Sequence, residues 1–191
     1  MNTKTETTKK RPTLDDVMAY QNARVISSFV KSFGVAKEDA ADIFEQLKRM
    51  LWLVNEMEYD DLRAQQKMFS IDTSLLVIDE MWHIFILFTK EYREFCDTYF
   101  GYFIDHFPAV KDENDLAQAK RTAELAALSH EGRISKVMDE KRWQYRYVFE
   151  KLGREYFLKW YTVYHDKYTP KVLAELRLNT VTGSNSDLAN N

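Results

Sequence analysis

The stretch LLVIDEMWHIFILF at residues 75–88 carries only three polar side chains, Asp79, Glu80 and His83. Wound as an α-helix, it places these three within about a 100° arc, at offsets i, i+1 and i+4. The rest of its surface is apolar. A helix apolar on nearly all sides is one enclosed by other helices, so the stretch predicts an all-α domain built around a central buried helix at 74–88. Ionisable groups in such a helix are costly unless they pair with one another or bind something. The same stretch is therefore where function is expected.

The flanking sequence supports this architecture. A chain of 191 residues with 45% apolar and 14% aromatic content is long enough and oily enough for one sizeable core. Its five glycines and three prolines fall where helices should stop. Residues 1–11 form a charged, Thr-rich tail. Pro12 and Thr13, followed by Asp15 and Asp16, start a helix, and Leu14, Met18, Val25, Phe29 and Phe33 keep helical spacing up to Gly34. A second helix spans about 37–58, and a polar connection at 59–70 leads to a helix start at Asp72, Thr73 or Ser74. Thr89 opens an amphipathic piece that ends at Gly101, before a turn region at 102–108. Residues 115–129 are Ala- and Leu-rich and helical, with Gly132 as a breaker. Ile134, Met138, Tyr145, Val148 and Leu152 outline a helix ending at Gly153. An aromatic helix at 155–164 and a short one at 171–178 follow, and 179–191 read as a disordered tail. The prediction is six to eight helices packed as a single domain over 12–178.

Bulk properties exclude several classes of function. A formal net charge of -3 leaves no electrostatic footprint for nucleic acid or an anionic membrane. The apolar run at 75–88 is too short to span a bilayer and carries three ionisable groups. The single cysteine, Cys96, rules out an intrachain disulfide. The N-terminal MNTKTETTKKRPT has no apolar core of the kind a signal peptide needs. A cytoplasmic protein is the expectation.

Asp79 and His83 stand one helical turn apart, close enough for the carboxylate to hold the imidazole or for both to bind one metal ion. Glu80 and His83 also spell E-x-x-H, the pairing of di-iron carboxylate bundles. Those bundles need a second such pair, and His106, His130 and His165 each have a non-acidic residue three positions earlier. Cys96 and His106 are the further candidate ligands. On one straight helix Cys96 would lie about 20 Å from His83 and about 140° around the axis. A break at Phe88–Thr89, with Thr89 as N-cap, together with a reversal at Gly101, would gather Asp79, His83, Cys96 and His106. Mixed ligation of that kind suits zinc or another divalent transition metal. The plainer readings are a structural Asp79–His83 hydrogen bond, a small buried Cys96 and a solvated His106 beside Asp105.

The ordered set D-x-x-W-H at residues 79–83, then Tyr92, Cys96, Gly101 and Asp105–His106, resembles the glycine-rich domain-containing protein-like family. YRYVFEKLGREYFLKW at 145–160 is similar to that family's later aromatic-plus-glycine segment. The resemblance covers about residues 70–160 and implies a shared fold and site. The chain departs from it twice. Eukaryotic relatives often carry W-H-x-H followed by proline, where this chain has Phe85 and Thr89, and the glycine-rich region is missing.

Other sites read as structural. His130, before Glu131 and Gly132, sits at a helix end where an imidazolium suits the dipole. His165 closes the last aromatic helix. KRWQYRY at 141–147 mixes basic and aromatic residues as nucleic-acid surfaces do, and is better explained as a solvated face beside a core face. Three functions stay open: a divalent-metal-binding structural or binding module, a metal-dependent enzyme with Glu80 as acid/base, and a metal-free scaffold working through an unknown protein partner.

Overall fold

A lysine with no solvent exposure explains how the chain enters its core. Lys48 donates to the carbonyls of Met18 at 2.7 Å and Tyr20 at 2.6 Å, and its ammonium lies 2.8 Å from Glu45 Oε1. All three N–H donors are thus used, and burial lowers the lysine's pKa despite that pairing. The two carbonyls belong to the C-terminal end of α1 (Leu14–Met18) and to the link into α2 (Ala23–Phe33). The sequence spacing had predicted one continuous helix here. Instead α1 stops, and Asn22 caps α2 by accepting from the N–H groups of Arg24 and Val25.

The computed structural model describes residues 11–65, 67–106, 119–120 and 122–188. The helix α3 (Lys37–Tyr59) is the hub: α1, α2, α4 (Leu76–Leu87) and α6 (His130–Leu158) all pack on it. A fifth helix, α5 (Thr89–Tyr99), folds back against α4. After α6 come a π-helical segment (Lys159–Tyr164), the short α7 (His165–Lys167) and α8 (Pro170–Leu188), which lies on α2. The result is all-α, with one contiguous hydrophobic core. Among the described residues no helix is long and apolar enough to cross a membrane.

Several boundaries differ from those expected. Arg11, assigned to the N-terminal tail, is bound: its guanidinium pairs with Glu56 and with Asp60. The rest of that tail lies outside the described residues, as do residues 107–118 and 189–191. Residues 122–126 are helical as expected. The next helix begins at His130 rather than beyond Gly132, because Ser129 Oγ accepts the Gly132 N–H at 3.1 Å as an N-cap. His130 thus opens a helix instead of closing one. Helix α8 continues past Leu178 to Leu188, held near that point by Thr180, whose hydroxyl donates to the Ser32 carbonyl at 3.1 Å. The break at Gly153 falls where expected. Its φ of 84° and ψ of 175° lie far from helical values, in a region glycine enters at little cost.

The π-helical segment fastens this second half to α3. Asp42 accepts from Lys159 Nζ at 2.8 Å and Tyr164 Oη at 2.7 Å, and Trp160 donates to Gln46 at 3.0 Å. Within residues 141–147, Lys141, Gln144 and Tyr147 are likewise committed inward, while Arg142 and Arg146 form the expected solvated face. Lys141 pairs with Asp72, Gln144 binds the Ser70 backbone and Tyr161, and Tyr147 donates to Asp60 at 2.9 Å.

One hydrogen-bonded chain through the core shapes the region around α4. Trp82 Nε1 donates to the Tyr92 hydroxyl at 3.0 Å, and that hydroxyl donates to the Ile104 carbonyl at 2.7 Å. Two breaks make the chain closable. Phe88 leaves helical geometry (φ −84°, ψ 61°), so α5 turns back along α4. Gly101, at φ 81°, adopts the left-handed conformation after α5, where its N–H and that of Phe100 both donate to the Cys96 carbonyl. Thr89 is the first residue inside α5, with Phe88 at the cap position and no side-chain cap.

Two outcomes test this description. Asp42 and Asp60 are each pushed up by burial, yet the stronger combined pull of their donors (Lys159 and Tyr164; Lys151, Tyr147 and Arg11) holds both below the usual carboxylate range. A carboxyl whose pKa is lower folded than unfolded adds stability above the unfolded value of about 3.9 and loses it as pH falls through the folded one. The melting temperature should therefore drop steeply below about pH 4, and the Asp42→Asn/Asp60→Asn double variant should show a shallower acid limb in a calorimetric pH series. Tyr92→Phe would strand the Trp82 N–H and the Ile104 carbonyl. Denaturant melts should report a loss of about 2–4 kcal/mol at unchanged slope, and a loss under about 0.5 kcal/mol would contradict the structural role of the chain.

Candidate functional site

Helix α4 buries Val77, Ile78, Met81, Trp82, Ile84 and Phe85, leaving one stripe turned outward. Asp79, Glu80 and His83 occupy that stripe and are half-buried, between Leu76 on one side and Ile86 and the exposed Leu87 on the other. The polar trio predicted from periodicity is thus present on one face, but at the rim of the core rather than sealed inside it. The His83 side chain is 42% exposed. This placement lowers the desolvation cost and leaves the imidazole reachable.

The reversal at Gly101 carries His106 back to this rim. Its Nε2 lies 2.9 Å from Asp79 Oδ1, and its ring meets His83 at a centroid distance of 4.6 Å and Trp82 at 4.4 Å, both edge to face. Trp82 therefore acts twice: its N–H anchors the core chain while its ring supports His106. On the other side of Asp79, Oδ2 stands 3.7 Å from His83 Nε2. One ligand atom each from Asp79, His83 and His106 lie within 4.8 Å of one another. Donors bound to a common ion at about 2.1 Å are about 3.0 Å apart in cis-octahedral geometry and about 3.4 Å apart in tetrahedral geometry. The 2.9 Å contact is made by Oδ1 and the 3.7 Å contact by Oδ2, so a shared ion would draw the three donors closer together around one carboxylate oxygen or be held by both. Two imidazoles and one carboxylate form a donor set suited to zinc or a late first-row ion, and three protein donors leave coordination positions for another ligand.

Glu80 takes a different part from Asp79. Its Oε2 lies 3.3 Å from His83 Nδ1, and the same oxygen is paired with the guanidinium of Arg177 from α8. A carboxylate on Nδ1 fixes the ring and its tautomer, turning Nε2 toward Asp79. With both partners engaged, Glu80 is placed as a positioning group for His83.

Cys96 does not join the group, although two reversals were expected to bring it in. On α5 the residues Tyr92, Phe95 and Cys96 form one stripe, and that stripe faces the core. The thiol is fully buried against the Ile104 backbone and the Tyr92 hydroxyl, and burial pushes its pKa up. A neutral, enclosed thiol is a small core side chain. The two reversals are present, but they turn this side chain away from the outward stripe of α4.

Phe85 is completely buried. Its ring lies 5.4 Å from Phe44, 5.0 Å from Tyr92 and 5.4 Å from Phe95. Position 85 thus belongs to an aromatic cluster of the core, away from the outward stripe of α4. His165 is not part of the group and contacts Ser74 Oγ at 3.2 Å. Two contributors have structural roles that spacing alone does not assign. The Trp82–Tyr92 pair was readable in principle, since two polar-tipped aromatics buried in oily helices need partners. Arg177, 97 residues from Glu80, gave no local signal.

No curated protein and no solved structure matches the chain. The profile of one family does match, over residues 19–132, more than half of the sequence and the whole stretch from Asp79 to His106. The chain belongs to the UCP032817-like family.

Proposed function

We propose that the domain is a divalent-transition-metal-binding module, with Asp79, His83 and His106 as its protein ligands. The reading is carried by the convergence of one carboxylate and two imidazoles on a half-exposed rim, with one ligand atom of each within 4.8 Å of the others. Glu80 supports it as the outer carboxylate that orients His83. The ion would clip α4 to the segment after Gly101 and add its binding energy to the fold. The resemblance to the glycine-rich domain-containing protein-like family is part of the same reading, because Asp79, Trp82, His83, Tyr92, Gly101 and His106 build the site or its support. A cytoplasmic setting fits a single cysteine kept as a buried free thiol.

A second reading is favoured by one contact. Asp79 and His106 at 2.9 Å already make a good hydrogen bond without any ion, so the group would serve as a polar clasp in a protein-interaction scaffold.

Metal analysis separates the two. Untagged protein equilibrated with Zn²⁺ and then passed into metal-free buffer should retain about one ion per chain, and saturation at about 100 times Kd should raise stability by about 2.7 kcal/mol. Asp79→Ala and His106→Ala should each lower affinity at least about tenfold, whereas Cys96→Ala should leave it unchanged. Absence of a retained ion would favour the clasp, and loss in the Cys96 variant equal to that in His106→Ala would overturn the ligand assignment.

A further inference from the structure

The geometry points to a small-molecule oxyanion, a carboxylate or phosphate group, as the exogenous ligand of this site, with Arg177 as its recognition residue. The inference rests on the proposed metal-binding function and adds the chemistry of what would fill the open coordination positions.

Arg177 reaches the rim from α8, held by two contacts of its own side chain and by the anchoring of its helix one turn on. Its Nη2 pairs with Glu80 Oε2, its guanidinium centre lies 4.9 Å from the Phe33 ring centroid, and the hydroxyl of Thr180, one turn on, binds the Ser32 carbonyl at 3.1 Å. Glu80 Oε2 is in turn 3.3 Å from His83 Nδ1. The cation is therefore one carboxylate away from a candidate ligand, and its side chain is still 53% exposed. A guanidinium has five N–H donors in a fixed fork that matches carboxylate and phosphate oxygens. The pairing with Glu80 uses one edge of it, and stacking on Phe33 stiffens the remainder.

Charge points the same way. A divalent ion bound by Asp79 keeps a formal charge of about +1, and Glu80 is balanced by Arg177. The filled site is then net positive on a half-open rim, where an oxyanion could take a coordination position with one oxygen and approach the guanidinium with another. A neutral ligand would gain only the first contact.

The test uses full-length untagged protein and Co²⁺, whose visible absorption reports its ligand sphere. Inorganic phosphate and, separately, oxalate are titrated into the Co²⁺-loaded protein, with imidazole as a neutral comparison. The expected result is a spectral change with at least one of the anions, weakened at least about tenfold by Arg177→Gln and less by Arg177→Lys. Each protein is held saturated with Co²⁺, so that any change in metal affinity in the variant is separated from the anion response, and the imidazole response should stay within about threefold of wild type. A response to phosphate alone or to oxalate alone identifies which oxyanion the rim accepts. If Co²⁺ binds but neither anion perturbs it, or if Arg177→Gln leaves the anion response intact or weakens imidazole equally, the inference fails and the metal-binding reading stands. If Co²⁺ does not bind to the wild-type protein, both fail.

Discussion

The hydroxyl of Tyr92 is the group on which the geometry around α4 depends. A tryptophan N–H buried among apolar helices must find an acceptor, and Trp82 finds this one. Once it accepts, the same hydroxyl has a proton to place, and within an apolar core its acceptor must be another buried polar atom. The Ile104 carbonyl meets that need, but only if the chain after α5 doubles back. Gly101 permits the reversal by taking a conformation that a side chain would resist. His106 is two residues beyond Ile104, so satisfying one indole proton carries an imidazole to Asp79. The hydrogen-bonding requirement of the core thus positions the rim.

The rim also shows how the fold resolves a conflict within α4. Its sequence is oily enough to be enclosed, yet three ionisable side chains share one face. Full enclosure would have required a complete set of buried partners for two carboxylates and an imidazole. The packing instead turns that face to the boundary, where Leu76, Ile86 and Leu87 remain partly or largely uncovered as the accompanying exposure of apolar surface. Deeper polar side chains lie elsewhere: Lys48 and Gln46 find partners there, whereas the amide of the fully buried Asn55 finds none. Lys48 gives two donors to carbonyls at and just beyond the end of α1 and the third to Glu45, and the half-buried Asp42 gathers donors of the π-helical segment.

How much of this was legible in the sequence follows from the range of the interactions. The breaks at Phe88–Thr89, Gly101 and Gly153 have local causes and could be read from composition and spacing. So could the face shared by Asp79 and His83, which depends only on helical pitch. The break between α1 and α2 could not, because the group that ends α1 is Lys48, which reaches it from the middle of α3. The inward direction of Cys96 was hidden for a related reason. Two reversals bring the two helices together, but only the apolar stripe of Tyr92, Phe95 and Cys96 decides which side of α5 meets the core. The length of α8 was missed because its polar sequence resembles a tail, while its hold on α2 comes through a Thr180 contact made 148 residues away. The apolar stripe of α5 assigns Cys96 to the core in the same way that the apolar faces of α4 leave Asp79 and His83 at the rim.

The adjacent acids Asp79 and Glu80 divide the work in a way their equal chemistry does not suggest. Standing 100° apart on the helix, they face different neighbours: Asp79 looks along the rim to His106, while Glu80 looks toward α8. Through a single oxygen, Glu80 holds both the imidazole of His83 and the guanidinium of Arg177. Displacing that carboxylate would release a ring of the site and the contact of a helix together. The orientation of His83 and the docking of α8 are consequently linked, and by thermodynamic reciprocity whatever favours one favours the other. The family match ends at residue 132, so Arg177 lies outside the matched segment. The group of three donors belongs to the part of the chain common to the family profile, and the positive charge set beside it comes from the remainder of this chain.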